Sequence, residues 1–314
     1  MKKMNACVAL ILAVALFACG VSLAAAADWP PKKLTLVWHS KAGSSGDLFM
    51  RSLAKFLETR LKVTTVVENR TGASGLNAWN ALAKSKPDGS VLQGVSSTFI
   101  ASPLQNKMPL NYKDFDPVAM MFLDPNCIFV SAKSPYKTLD DFFNDARENP
   151  GKLSLTGGTA GNTEFVSARR LMKEAGVEVP LVPFEGGGEG VVAVIGGHVT
   201  AGVGEYGEVQ ASAEGGQLKI LAMFDKLPGL DIPTVADSGY TTTIEKFRGI
   251  IVRKDTPQEI KDAIFAVLQE AMEDPDFKKF YTQNHLIPSF KNGEEFYKVM
   301  DRQHADLEEA LKGL

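Results

Sequence analysis

The chain has almost no cysteine. It carries three in 314 residues. Two of them, Cys7 and Cys19, fall in an N-terminal segment that reads as a leader, so only Cys127 is left in the mature chain. No internal disulfide can then form, even in a compartment that permits one. Cys127 lies in the apolar run Cys127-Ile128-Phe129-Val130 and reads as a small buried hydrophobe rather than a nucleophile. Surplus positive charge is missing too: 34 Lys and Arg face 37 Asp and Glu, a formal charge of −3. That excludes the basic stripe a nucleic-acid partner needs. The mature histidines His39, His198, His285 and His304 are scattered without metal-ligand spacing. There is no G-x-S-x-G elbow, and Asp140-Asp141 reads as a solvated helix face rather than an acid/base pair. Beyond the leader, no apolar run is long enough to cross a bilayer. No metal and no cofactor are expected.

The leader itself is well marked. Lys2 and Lys3 precede the apolar run Val8 to Ala18, and Ala24 to Ala27 supply an A-x-A cleavage site. Residues 1–27 are therefore expected to be a signal peptide, with Asp28 at the mature N-terminus and the periplasm as destination. Lipid attachment at Cys19 is the alternative; Phe17 is bulky for that processing, and the alanine run fits ordinary cleavage better. Cleavage removes two lysines and no acid, so the charge of −3 becomes −5. The chain that remains is long enough for two domains of ordinary size.

Short β-rich runs alternate with amphipathic ones. Leu34–Trp38, Val63–Glu68 and Val91–Val95 read as buried strands. Helix-like runs, Asp47 to Leu61 and Leu76 to Lys84, separate them, and Ser44 with Asp47 is a plausible capping pair. This βαβαβ order implies a parallel sheet with helices on both faces. Asp116-Pro117 is expected to break the chain. Ile128 to Ala132 is expected to be a strand leaving this unit. A second α/β unit follows, with helices at Lys137 to Arg147 and Glu164 to Ala175. Its strands are expected at Leu153–Leu155, Val179–Phe184, Val199–Val203 and Leu218–Met223, with a helix opening at Val191–Ile195. Near the C-terminus Thr256, Pro257 and Glu259 predict an N-cap, a first helical residue and a capping box ahead of the stripe Ile260, Ala263, Ile264, Val267, Leu268 and Ala271.

The chemistry is expected in the loops. Small residues where strand gives way to helix leave backbone N–H groups open, and the helix dipole favours an anion there. Ser40 to Gly46 is one such loop, with Ser40, Gly43 and Ser44 as donors, Asp47 at the helix start, and His39 and Lys41 beside them. Asn69-Arg70-Thr71-Gly72-Ala73-Ser74-Gly75 is a second, in which the amides of Gly72, Ala73 and Ser74 are favoured over Arg70, read as a brace for the sheet edge. Ser96, Ser97 and Thr98 follow the third strand at the same sheet end, where open α/β sheets bind ligands. In the second unit the matching loops carry Thr156, Gly157, Thr159 and Asn162, then Phe184, Glu185, Gly186 and Gly187. Gly188-Glu189-Gly190-Val191-Val192-Ala193 has the form of a dinucleotide fingerprint, with Glu205 and Glu208 near the distance of a ribose-binding acid. Glycines are abundant here, so the fingerprint weighs little; an exported dinucleotide-binding oxidoreductase is carried as an alternative.

In this setting the chain resembles the extracytoplasmic solute receptors of tripartite tricarboxylate transporters, the Bug family. The resemblance runs from Trp29-Pro30 to about residue 290. It rests on Gly43 with Asp47 and Arg51, the Asn69 to Gly75 loop, Pro87-Asp88-Gly89, Phe115-Asp116-Pro117-Val118-Ala119, Asn149-Pro150-Gly151-Lys152-Leu153, Val182-Pro183-Phe184-Glu185-Gly186-Gly187-Gly188, Gly196-Gly197-His198-Val199 and Ile232-Pro233-Thr234. Ser44 stands where a second glycine is usual, and Ser90 where an aromatic is usual. The resemblance implies a type II periplasmic binding fold with a cleft between two α/β lobes. Residues 28–127 with 247–314 would form lobe 1, and residues 128–246 lobe 2. It also implies capture of a small organic carboxylate, delivery to membrane transporter subunits, no catalysis and a monomeric state. Glu205 and the loop residues above are the candidate ligand contacts. A sensory subunit presenting its ligand to a signalling partner would share this pocket and is a second alternative.

Overall fold

The computed structural model describes residues 29–158, 162–184, 187–227 and 229–312. The leader, Thr159, Glu185 and Gly186 lie outside the described residues.

The first sheet starts where the sequence places it. The run KLTLVW forms β1 (Lys33–Trp38), which pairs in parallel with β2 (Thr64–Asn69) and with β3 (Val91–Ser96). Between β1 and β2 lies α1 (Ser45–Leu61), which buries Phe49, Met50, Leu53, Ala54 and Leu57 against the sheet. The Ser44 hydroxyl accepts from the Asp47 N–H at 3.3 Å, as an N-cap should. The Asp47 carboxylate does not close a reciprocal capping box; it accepts from the Gly43 N–H at 2.8 Å and from Arg51 Nε at 2.9 Å. Helices α2 (Leu76–Ala83) and α3 (Thr98–Asn106) follow β2 and β3.

Beyond β3 the sheet is no longer parallel. β4 (Phe115–Asp124), β9 (Lys246–Arg253) and β10 (Ile287–Asn292) complete the order β10-β4-β9-β3-β1-β2, with β9 antiparallel to both neighbours. The expected break at Asp116-Pro117 is therefore corrected: both residues lie inside β4. The proline is tolerated because the register shifts between Pro117 and Ala119, a bulge that needs no ladder N–H from it.

A single residue, Pro125, separates β4 from β5 (Asn126–Ser131), the first strand of a second sheet. That sheet runs β6-β7-β5-β8, with β6 (Leu155–Thr156), β7 (Ala201–Glu205) and β8 (Leu218–Met223). Helices α4 (Leu139–Glu148), α5 (Thr163–Glu174), α6 (Gly187–Ile195) and α7 (Tyr206–Glu214) surround it. Asp141 does more than face solvent, because it shares a capping box with Thr138. The strand expected over Val179–Phe184 is reduced to one bridge between Leu181 and Leu155. Pro180 and Pro183 remove the donors a longer ladder would use.

The chain returns to the first lobe at Lys246 and adds α8 (Gln258–Glu273), α9 (Pro275–Gln283) and α10 (Gly293–Lys312). The stripe expected on α8 buries Ile260, Ile264, Val267, Leu268 and Ala271. Its cap is not Thr256, whose hydroxyl donates instead to the Arg253 carbonyl at 2.7 Å; Pro257 holds the N-cap position with no side-chain bond. Each sheet carries apolar cores of its own: those of the first are built around Leu36, Phe49 and Phe122 and around Trp79, Phe99 and Phe247, those of the second around Ile128, Phe142 and Leu171 and around Phe129, Val194 and Leu218. Among the described residues no helix is long and apolar enough to cross a membrane.

Candidate functional site

Several element ends converge between the two sheets. β1 ends in Trp38 and leads to His39 and Ser40; α1 begins with Ser45 and Gly46; β3 ends at Ser96, one residue before Ser97 and the first residue of α3, Thr98. β4 ends at Asp124, and β9 begins with Lys246 and Arg248. From the second lobe come Glu205, the last residue of β7, and Glu208 in the first turn of α7. Together these residues, apart from Ser97 and with Ser44 added, line a cavity of ≈160 Å³. A second cavity of ≈280 Å³ adjoins it, sharing Ser44, Ser45, Asp124, Glu205 and Glu208 and adding apolar wall from Leu48, Pro125 and Leu286.

Close approach at one glycine shapes the wall. A Cβ on Gly46 would stand 1.8 Å from the Trp38 ring, so the indole lies directly on the α1 backbone. Trp38 in turn faces the Arg248 guanidinium, 5.9 Å from the ring centroid, within cation–π range.

Charge is concentrated at the junction of the lobes. Lys246 binds Glu164 of α5 and Glu205 of β7, the latter at 2.5 Å. Arg248 holds Asp124 through Nε at 2.6 Å and through Nη2 at 2.5 Å. Its Nη2 also bonds the Ser45 hydroxyl and stands 3.5 Å from Glu205. Arg248 is 3% exposed, yet its Nη1 has no hydrogen-bond partner. Such an orphaned buried donor is costly unless something fills the place.

These neighbours move the titrations apart. Burial opposes the charge on Glu205, but Lys246 and Arg248 outweigh it and bring the carboxyl down to about 2. Glu208 keeps an exposed surface, yet desolvation of its carboxyl at the cavity wall pushes it up to about 7, and the Glu205 charge adds to the rise. Asp124 is pushed up to about 6 by burial, against the pull of Arg248. His39 falls to about 4 because burial, Arg248 and Lys246 all disfavour imidazolium, so at neutral pH it is an uncharged ring whose Nδ1 has no partner.

Residues 49–312 match the model of the tripartite tricarboxylate transporter family receptor. The chain belongs to this family. The receptor is 27% identical to a UPF0065 protein of Bordetella bronchiseptica, over 85% of this chain and 81% of that protein. It is 26% identical to a TctC solute-binding protein from Polaromonas, with a TM-score of 0.77 covering 91% of this chain and all of that one. A protein of R. palustris solved with adipate shares the fold at a TM-score of 0.79 and 22% identity, over 91% and 98% of the two chains. The family is one of receptors and the Polaromonas neighbour is a solute-binding protein, so the chain is a receptor and not an enzyme; the two-lobed α/β architecture is shared with the solved neighbours.

The receptor's cavities gather a definite part of the expected set: His39, Ser40, Gly43, Ser44, Ser96, Thr98 and Glu205. The others serve elsewhere or lie apart. Asp47 is buried and ties Gly43 to Arg51. The Ser97 hydroxyl donates to the Glu245 carbonyl and accepts from the Phe247 N–H, each at 3.2 Å, which pins the start of β9 beside α3. Gly72, Ala73 and Ser74 form a left-handed turn with φ of 106°, 48° and 51°. Arg70 pairs with Glu68, two residues back, at 2.7 Å, and both side chains are largely exposed. Lys41 is exposed. In the second lobe Thr156 accepts from the Gly158 N–H, and Gly157 lets the Phe165 backbone approach to within 2.6 Å of where its Cβ would be. Asn162 caps α5, and Phe184 packs beside the apolar core under α6. Gly187 opens α6 against Glu208. The fingerprint Gly188 to Ala193 lies within α6, so its glycines are helical rather than forming a strand-to-helix turn; among the described residues just before it only the isolated bridge at Leu181 is strand-like.

Arg248, Lys246 and Asp124 carry most of the charge and were not in the expected set. The signal was present in Lys246-Phe247-Arg248, two cations heading the apolar run Ile250-Ile251-Val252. Cations entering a strand that must be buried need buried partners.

Proposed function

We propose that this receptor is exported by the leader over residues 1–27, binds a small organic carboxylate between its lobes, and delivers it as a monomer to the membrane subunits of a tripartite transporter. The observation that carries the carboxylate is Arg248. It is buried, it lines the cavity, and its Nη1 has no acceptor of its own. A carboxylate oxygen there completes the guanidinium's bonding as a charge-assisted pair. The hydroxyls of Ser40, Ser44, Ser96 and Thr98 border the same space and can donate to the remaining oxygens. The adipate held by the R. palustris protein of like fold is consistent with this chemistry. Closure would follow from the two lobes turning about Pro125 and the return segment before Lys246, with the six-stranded sheet and its helices as one body and the four-stranded sheet and its helices as the other.

A thermal-shift screen tests the reading. Mono-, di- and tricarboxylic acids, with and without further substituents, are added to the purified protein at millimolar concentration. At least one acid is expected to raise Tm by several degrees, as binding to the folded state alone must do. No stabilisation by any acid across a broad panel defeats it.

A further inference from the structure

Glu205 is the last residue of β7 and the N-cap of α7, yet its side chain makes no bond to that helix. A short polar side chain in this place bonds its own helix's amides. Glu205 instead reaches from the second lobe to the first. Its Oε1 meets Lys246 Nζ at 2.5 Å. Its Oε2 accepts from the hydroxyl of Ser45, the first residue of α1, at 3.3 Å and stands 3.5 Å from Arg248 Nη2. A carboxylate of the protein's own thus lies at the positive end of α1, where a strand–helix junction receives an anion.

Of the acids that pair with Lys246 and Arg248, Glu205 is the least fixed. The side chains of Glu164 and Asp124 are each 5% exposed, against 17% for Glu205. Glu164 lines neither cavity, and Asp124 holds Arg248 through two close contacts. Glu205 lines both cavities, and its Oε2 end rests on one hydrogen bond longer than the usual O–H···O range. That end can leave while Oε1 stays on Lys246 and Asp124 stays on Arg248. The smaller cavity, ≈160 Å³, falls short of the roughly 300 Å³ at which ligand sites begin, and Glu205 belongs to the wall it shares with the larger one. Arg248 favours the exchange. Glu205 approaches its Nη2 only, while Nη1 has no partner. A carboxylate spanning both Nη groups makes the paired bonds that Glu205 does not.

We infer that Glu205 is an internal rival of the solute: its carboxylate holds the anion position at Ser45 and Arg248, latching the second lobe to the first, until an incoming carboxylate displaces its Oε2 end. The inference rests on the carboxylate reading above and adds what the solute must push aside. Glu205 thereby sets a threshold for entry. A solute is retained only when its own bonds to Ser45 and Arg248 outweigh those of the resident acid.

Isothermal titration calorimetry on the purified mature chain tests it. The probes are succinate, adipate and citrate, together with the acid giving the largest shift in the thermal screen. Glu205→Gln keeps the size of the side chain and removes its charge. It is expected to bind the best of these acids about tenfold or more tightly than the wild type does, a difference of ~1.4 kcal/mol. Glu164→Gln takes a charge from the same Lys246 without facing the cavities, and its affinity is expected to stay within about threefold of the wild type. Unchanged or weaker binding by a folded Glu205→Gln protein overturns the inference and leaves the carboxylate reading standing. An equal gain in both variants does the same, because it reports loss of charge rather than displacement. Binding of no acid by either the wild type or Glu205→Gln overturns both. If Glu205→Gln does not fold, small-angle X-ray scattering of the wild type decides. Lobes already latched are expected to keep their radius of gyration when the best acid is added, and a contraction on binding overturns the latch.

Discussion

Glu208 shows how one side chain can set a pH response. Its carboxyl titrates near about 7 in the folded protein against an ordinary value of 4.5. The folded chain therefore holds this proton to higher pH than the unfolded chain does. Its contribution to stability is most favourable below pH 4.5 and is lost as pH rises through about 7. Glu208→Gln removes that loss. The Tm of the variant minus that of the wild type is expected to increase between pH 4.5 and pH 7 and to level off above. Differential scanning calorimetry at pH 4, 5.5, 7 and 8 reads it, and a difference that shrinks with rising pH contradicts the assignment. His39 works in the opposite sense. Its folded value is depressed, so its share of stability is full above its ordinary 6.5 and fades as pH falls through about 4. The substitution cancels that background because both proteins carry His39.

At the scale of elements, the strand–helix junctions do the positioning. Three bonds around Asp47 brace the loop between β1 and α1: the Asp47 N–H to Ser44 Oγ, the Gly43 N–H to Asp47, and Arg51 to Asp47. Ser44→Ala is expected to cost about 1 kcal/mol in urea unfolding. It should also weaken ligand binding, because Ser44 lines both cavities. A loss in stability with affinity untouched would show that the hydroxyl serves the helix only. Much of this level was legible in the sequence. The first three strands, α1, α5, β8 and the apolar stripe of α8 stand within a few residues of where periodicity and turn residues put them. What periodicity could not supply was pairing between distant segments. β4 hides behind Asp116-Pro117, whose turn signal is overridden by strands on both sides. Val179–Phe184 has the apolar content of a strand and lacks its donors. For the site the same limit held. Loop glycines and serines announce themselves locally, whereas Arg248 and Lys246 acquire meaning only once β9 is laid beside β3 and β4, facing Glu164 and Glu205 of the other lobe.

For the molecule as a whole, Lys246 is a tie between lobes. It belongs to the six-stranded sheet, while Glu164 and Glu205 belong to α5 and β7 of the second lobe. Removing the cation leaves two carboxylates of the second lobe with their shared partner gone. Lys246→Ala is expected to destabilise the protein by ~3–5 kcal/mol, the usual penalty for stranding one side of a buried ion pair. Chemical denaturation measures it. A loss below about 1 kcal/mol would place these groups in the class of exposed pairs that contribute little.

The place of Trp38 has a practical sequel. The indole is 4% exposed, lies 4.6 Å from the tilted ring of His39, covers the Gly46 backbone and looks onto Arg248, with no partner for its own Nε1. Only two other tryptophans, Trp29 and Trp79, share the chain, and neither lines these cavities. Filling the space beside Trp38 changes the electric field on its ring, so the protein carries its own optical gauge of occupancy. Affinities can be followed in the emission of the native chain, with no dye or label attached.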